Sequence, residues 1–92
     1  MIDKVLAERL IEKISQTTEY NVNIMNEDGI IIASRMKERV GAFHEVAFNL
    51  LRGEETSRIV TREDPENGIM PGVNMVIIVN RQREGVVGLT GD

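Results

Sequence analysis

Charged and apolar residues alternate over the first fourteen positions with the period of a helix. Six apolar residues form a single stripe along this helix: Ile2, Val5, Leu6, Leu10, Ile11 and Ile14. Acidic and basic side chains occupy the opposite side, as expected for an amphipathic helix with one face on a core. The pattern therefore predicts a helix over residues 2–14.

The next segment has the period of two that is typical of a strand with one covered face. Two sets of side chains alternate there: Tyr20, Val22 and Ile24 against Asn21, Asn23 and Met25. The pair Asp28-Gly29, which is favoured in tight hairpin turns, follows, and the apolar residues 30–34 supply a partner strand. These features predict a β-hairpin over residues 20–34.

Helical spacing returns further along the chain, at Phe43, Ala47, Leu50 and Leu51. It predicts a second helix from about residue 42 to residue 52. Gly53 is placed to end this helix in a left-handed conformation, the usual role of a glycine just after a helix.

The remaining segments predict strands joined by turns. Three of them are strand candidates, namely residues 56–61, 73–79 and 85–91, and the middle one is too apolar for a sheet edge. Residues 62–72 and 80–84 are rich in turn formers and predict a polar connector and a turn. Short joins of this kind favour antiparallel pairing. We therefore predict an α+β fold with about five antiparallel strands and the helices packed on them.

Length and charge exclude several classes of protein. A chain of 92 residues is expected to form one domain over residues 1–92, and its net charge of −4 opposes binding to a phosphate backbone. No apolar run approaches the roughly 20 residues that span a membrane. The charged amino end lacks the unbroken apolar segment of a secretory signal, so we expect a cytoplasmic protein with no membrane partner.

Catalytic and metal chemistry are both poorly supported. The chain has no cysteine and a single histidine, His44, whereas a hydrolytic triad or a zinc site needs several such groups. No segment has the spacing of a phosphate-binding loop. We therefore expect no enzyme activity, no catalytic residue, no metal ligand and no cofactor.

An anion site is the more plausible chemistry, in the stretch SRMKERVGAFHEVAFNLL over residues 34–51. Arg39 precedes the expected helix start, where unpaired N–H groups near residues 41–43 would favour an anion. Gly41 would allow the backbone to approach a ligand, and His44 would supply a second donor. The alternative is a solvated face of mixed charges with His44 as a hydrogen-bonded boundary residue.

Asn74 is a second candidate for a ligand contact. It is a polar amide within the apolar segment 73–79. Such an amide must face either solvent or a partner, because a buried amide without a hydrogen bond is costly. Asn74 is therefore either an edge residue or a ligand contact.

Four separated blocks of the sequence resemble a known family. They are residues 21–34, 38–47, 71–79 and 84–92, and in order and spacing they resemble the sugar diacid recognition domain, a PAS-like sensory module of bacterial carbohydrate diacid regulators. The resemblance extends over essentially the whole chain. Seven positions carry the family pattern: Ser34, Arg39, Gly41, His44, Gly72, Val73 and Asn74. Arg35 and Met36 depart from it, since relatives carry Gly-Asp there, and Met75-Val76 stands where relatives have Leu-Pro.

The resemblance implies a ligand-sensing domain of a transcriptional regulator of carbohydrate diacid utilisation. It would bind a small hydroxylated carboxylate such as glucarate, galactarate or glycerate. The implied ligand-binding residues are Ser34, Arg39, Gly41, His44, Val73 and Asn74. DNA binding would belong to a carboxyl-terminal segment of a longer regulator, absent from this chain.

Two other functions are compatible with the sequence. The chain could be an interaction module that has no ligand and forms a homodimer through the apolar stripe of the first helix. A sensor that holds haem or flavin is a weaker alternative.

Overall fold

The computed structural model of the protein describes residues 2–61 and 71–91. Its elements are α1 (Lys4–Ser15), β1 (Asn21–Met25), β2 (Ile31–Ser34), α2 (Glu45–Arg52), β3 (Ser57–Val60), β4 (Gly72–Val79) and β5 (Gln82–Thr90). The five strands form one sheet in the order β2-β1-β5-β4-β3, and every neighbouring pair is antiparallel. The predicted α+β fold with five antiparallel strands is confirmed.

Helix α1 begins at a side-chain cap. The Leu6 N–H donates to Asp3 Oδ1 at 2.8 Å, which satisfies one of the unpaired groups of the first turn. The buried side of the helix centres on Ala7, with Leu10 and Ile11 packed beside it. The predicted stripe is only partly correct, because Val5 and Leu6 are exposed.

The hairpin predicted over residues 20–34 is confirmed as β1 and β2. Its turn is held by Asn26, whose Oδ1 accepts from the N–H groups of Asp28 and Ile30 at 2.9 and 3.1 Å. An asparagine that bonds its own following backbone stabilises a turn locally. The hairpin therefore forms from contacts that are close in sequence.

Helix α2 begins at Glu45, three residues later than predicted. Residues 41–43 instead lie beside β2, with backbone hydrogen bonds to Ile31 and a bridge between Ile30 and Phe43. The prediction for Gly53 is also wrong, since its φ is −97°, outside the left-handed region. Its N–H donates to Leu50 O, so the helix ends without a left-handed residue.

The last two strands are longer than predicted, whereas β3 is shorter, with four residues where the sequence predicted six. Strand β4 lies between β5 and β3, which confirms that this apolar segment is not at an edge. The turn predicted over residues 80–84 is only two residues long, Asn80 and Arg81, both with positive φ, and β5 follows at once. Most of the predicted connector, residues 62–70, lies outside the described residues.

Two hydrophobic clusters cover opposite faces of the sheet. On one face, α1 packs on a cluster that includes Ile24 and Ala33. On the other, Ala47 and Leu50 of α2 pack on Met25 and on neighbouring residues of β5. We call these the α1 face and the α2 face. Among the described residues, no helix is both long and apolar enough to cross a membrane.

Candidate ligand-binding site

The segment between β2 and α2 follows the outer edge of β2. The Gly41 N–H donates to Ile31 O at 2.8 Å, and the Ile31 N–H donates to Ala42 O at 2.9 Å. The Ala42 N–H donates to Arg39 O at 3.1 Å. The prediction that free N–H groups near residues 41–43 bind an anion is therefore wrong for Gly41 and Ala42, because local pairing already uses them.

Gly41 has a conformational role. Its φ is +95°, which a residue with a Cβ rarely adopts, and no atom lies within 4 Å of the position that a Cβ would occupy. The space around it is open, so close approach of another group does not require the glycine. The residue is needed for the turn that leads from Arg39 to α2.

His44 caps α2. Its Nδ1 accepts from the Ala47 N–H at 3.1 Å, and its own N–H donates to Gly29 O at 2.8 Å. Burial, and to a smaller extent the positive charge of Arg39, lower the pKa of the imidazole to about 4. The ring is therefore neutral at pH 7, and since Nδ1 accepts, the proton is on Nε2, which is a donor.

Arg39 is half-buried and close enough to His44 to affect its pKa. Burial lowers the pKa of the guanidinium itself, while neighbouring Glu38 raises it. An arginine stays protonated at neutral pH, and its planar fork matches a carboxylate. The structure thus brings together a cation and a neutral imidazole at the start of α2.

Asn74 lies on the α2 face in the interior of the sheet. It is only 2% exposed, and its Oδ1 is buried without a hydrogen-bond partner in the part of the chain that the structure describes. An orphaned group of this kind costs about 1–3 kcal/mol of stability. This position excludes the first of the two interpretations made from the sequence, that Asn74 lies at the edge of the sheet.

The structure separates Ser34 from Val73. Ser34 is on the α2 face, where its Oγ donates to Asn23 Oδ1 at 2.5 Å and accepts from the Met36 N–H at 3.0 Å. It also lines a groove of about 560 Å³ beside α1. Val73 lies on the opposite face from its neighbour Asn74, as alternation along a strand requires, and lines a separate cavity of about 350 Å³.

A family model described as "Putative sugar diacid recognition" matches residues 2–92. The chain belongs to the sugar diacid recognition family. The resemblance carried by the four sequence blocks is therefore confirmed.

Three bacterial relatives align with 99% of the chain. It is 36% identical over 93 residues to the uncharacterised protein YsfB of Bacillus subtilis and 30% identical over 95 residues to the carbohydrate diacid regulator of Escherichia coli. An uncharacterised protein of Haemophilus influenzae is 29% identical over 93 residues. Each alignment covers only 24% or 25% of the relative, so the chain spans about a quarter of their length.

Arg35, which departs from the sugar diacid recognition pattern, has a structural role. One nitrogen of its guanidinium donates to Thr18 O and Tyr20 O, both at 2.9 Å. These bonds join the end of β2 to the connection between α1 and β1. Arg35 therefore stabilises the edge of the domain and offers no contact to the candidate site.

Three further residues with buried polar atoms in this member of the family are not indicated by the sequence pattern. Asn21, Asn23 and Thr90 have side-chain atoms that are buried without a hydrogen-bond partner among residues 2–61 and 71–91. The alternation along β1 indicated one covered face, which would leave both asparagines in solvent. In the structure β1 pairs on both sides, Asn23 is fully buried, and Asn21 is half-buried with both side-chain amide atoms inaccessible. We call Asn21, Asn23, Asn74 and Thr90 the polar patch.

The site has no evident metal chemistry. In the described ranges, no group of three or more His, Asp or Glu side chains is placed to hold a metal ion. The groups that the structure does bring to this region are a guanidinium, an imidazole, amides and hydroxyls. Their chemistry is recognition by charge and hydrogen bonding.

Proposed function

We propose that the chain is the ligand-sensing domain of a bacterial transcriptional regulator. It binds a small hydroxylated carboxylate of the glucarate, galactarate or glycerate type. Its family description and the name of the Escherichia coli relative support this proposal. The observation that carries it is the half-buried Arg39 beside the neutral His44 at the start of α2.

Each residue has a distinct role in the proposed complex. Arg39 pairs with a carboxylate of the ligand through two parallel N–H bonds, and His44 donates from Nε2 to the same group. Asn74 accepts from a ligand hydroxyl through its orphaned Oδ1. The burial of these groups strengthens each bond, because little water competes for them.

The bound ligand acts on the rest of the regulator through α2. His44 is both a ligand donor and the cap of this helix, so contact with the ligand biases the position of the helix. The longer relatives leave room for output domains beyond this chain. We propose that DNA binding belongs to such a domain, that the sensor has a PAS-like fold, and that it acts in the cytoplasm.

Calorimetric titration of the chain with glucarate, galactarate and glycerate tests the proposal. At least one acid should bind, and Arg39→Ala should weaken its affinity at least tenfold because the carboxylate loses its cation. Arg9→Ala is the matched control, since Arg9 is exposed on α1 and should leave binding unchanged. Equal affinities of the wild type and Arg39→Ala would contradict the proposed role of Arg39 in binding the carboxylate.

A second candidate function is a homodimeric interaction module without a ligand. It is favoured by the exposure of two apolar side chains on α1, Val5 at 63% and Leu6 at 48%. Apolar groups that lie side by side on an exposed helix are suited to packing against a second copy. In this case the pocket residues would serve stability alone.

Sedimentation analysis distinguishes the second candidate from the first. A dimer through α1 should dissociate in Leu6→Glu, because the charge would be buried between the two copies. Leu10 is unsuitable for this test, since it packs against the α1 face and its replacement would disturb the fold. Thermal shifts with the acids should then be absent. A monomeric wild type would contradict this candidate.

A further inference from the structure

The polar patch is an unusual group of atoms for the interior of a small protein. Its orphaned atoms are both amide atoms of Asn21, Nδ2 of Asn23, Oδ1 of Asn74 and Oγ1 of Thr90. Asn23, Asn74 and Thr90 are 0%, 2% and 5% exposed. Buried polar atoms in native proteins nearly always have a partner, so a group of five points to a ligand or bound solvent.

Strand register places these residues side by side. Asn23 and Asn74 both pair with Gly88, one from each side, and Asn21 pairs with Thr90 two residues further along. All four residues lie on the α2 face. Neighbouring strands are about 4.8 Å apart, so roughly 10 Å separates the backbones of Asn23 and Asn74.

Gly88 leaves room for the Asn74 side chain at the centre of the patch. A Cβ at this position would lie 2.7 Å from Asn74 Oδ1, closer than two such atoms can approach. The Asn74 side chain therefore extends over β5 toward Asn23. A free acceptor on Asn74 and a free donor on Asn23 flank the same glycine without bonding to each other.

The donor and acceptor pattern of the patch selects one kind of group. A hydroxyl both donates and accepts, so it can satisfy Asn23 Nδ2 and Asn74 Oδ1 at once. A carboxylate only accepts, so it could pair with the free N–H groups of Asn21 and Asn23 but would leave the free oxygens of Asn21 and Asn74 without a donor. A methylene would leave every atom unpaired. The patch contains no ionisable side chain that could change this preference.

We propose that the polar patch binds the hydroxyl groups of the acid and so distinguishes a hydroxylated diacid from an unsubstituted one of equal length. This rests on the proposed function, in which Arg39 holds the carboxylate. The two regions are linked through Ser34, whose Oγ contacts both Asn23 and the Met36 N–H, at the start of the turn that leads to Arg39.

Titration with glucarate and with adipate, a six-carbon diacid without hydroxyls, tests this proposal. The wild type should bind glucarate at least thirtyfold more tightly than adipate. Thr90→Val preserves the shape of the side chain and removes one hydroxyl, so it should weaken glucarate five- to tenfold and leave adipate unchanged. Thr56→Val is the matched control, because Thr56 is exposed just before β3.

A second measurement does not depend on any variant. In the wild type, the side-chain NH₂ resonances of Asn21 and Asn23 should shift on addition of glucarate and stay in place with adipate. A patch that holds only ordered water would show no such difference.

The outcomes separate this proposal from the proposed function. Equal affinities of the wild type for the two acids, together with a tenfold loss of affinity in Arg39→Ala, would overturn the hydroxyl-binding role of the polar patch. The proposed binding of the carboxylate by Arg39 would then remain. Binding of neither acid would overturn both. A Thr90→Val variant that weakens both acids equally would also contradict the patch, because the hydroxyl would then serve structure alone.

Discussion

The two faces of the sheet are built from the same strands but differ in the polarity of their side chains. On the α1 face, Ile24 and Ala33 are buried against Ala7, and apolar side chains complete the packing. On the α2 face, only the half near Met25 and Leu50 is apolar. The other half is the polar patch. One face is therefore apolar throughout, whereas the other combines an apolar half with the half that we propose binds the ligand.

The cost of the polar patch indicates why this difference matters. Each orphaned amide or hydroxyl costs about 1–3 kcal/mol, a large share of the 5–15 kcal/mol that stabilises a typical domain. Apolar residues at Asn23 and Asn74 would remove that cost. Residues that lower stability without a structural gain are most often found at functional sites, which is the role assigned to the patch.

The apolar half of the α2 face should give the largest change in stability. Leu50 is fully buried, and Leu50→Ala removes its contacts with the sheet and leaves a cavity. We expect a loss of about 3 kcal/mol in the free energy of unfolding, measured by urea denaturation. A loss below about 1 kcal/mol would mean that α2 does not close this half of the core.

The start of α2 should respond to pH through its cap His44, the only histidine of the chain. Its pKa of about 4 in the folded state lies below the ordinary 6.5, so the unfolded state binds the proton more tightly. Stability is therefore complete above pH 6.5 and falls as the pH decreases toward 4. Between pH 7.5 and pH 5 we expect a loss of about 2 kcal/mol.

His44→Asn is the control for this pH dependence. Asparagine retains an oxygen that can cap α2 but does not titrate in this range. The slope of stability between pH 7.5 and pH 5 should therefore largely disappear. If the dependence of stability on pH persisted in His44→Asn, titration of other groups would be its cause.

The polar half should show the smallest change and the opposite sign. In Thr90→Val an orphaned buried hydroxyl is replaced by a methyl group of similar size. We expect the ligand-free protein to gain about 1 kcal/mol in urea denaturation. A loss of stability would show that the hydroxyl has a structural partner and would weaken the contrast between the two halves.

Local signals made the fold largely predictable from the sequence. The Asp28-Gly29 turn and the alternation over residues 20–25 correctly indicated the hairpin, since both depend on neighbouring residues. The start of α2 was misplaced because residues 41–43 pair with Ile30 and Ile31, which lie ten or more residues earlier in the chain. Helical spacing at Phe43 carries no information about that pairing.

The candidate site was less predictable for a related reason. Residue type indicated Arg39 and His44, but the backbone geometry that makes His44 a helix cap has no signature in the sequence. The burial of Asn23 and of the Asn21 side-chain amide depends on strand order, which places β1 in the interior of the sheet. Alternation along a strand shows which side chains share a face and does not show whether that face is covered.

A crystal structure of the chain with glucarate bound would test the carboxylate site and the polar patch together. It should show one carboxylate on Arg39 and His44, with hydroxyl groups of the acid bonded to Asn23 and Asn74. Both proposals would be contradicted if glucarate lay in the groove beside α1 or in the cavity lined by Val73 and the polar patch held water alone.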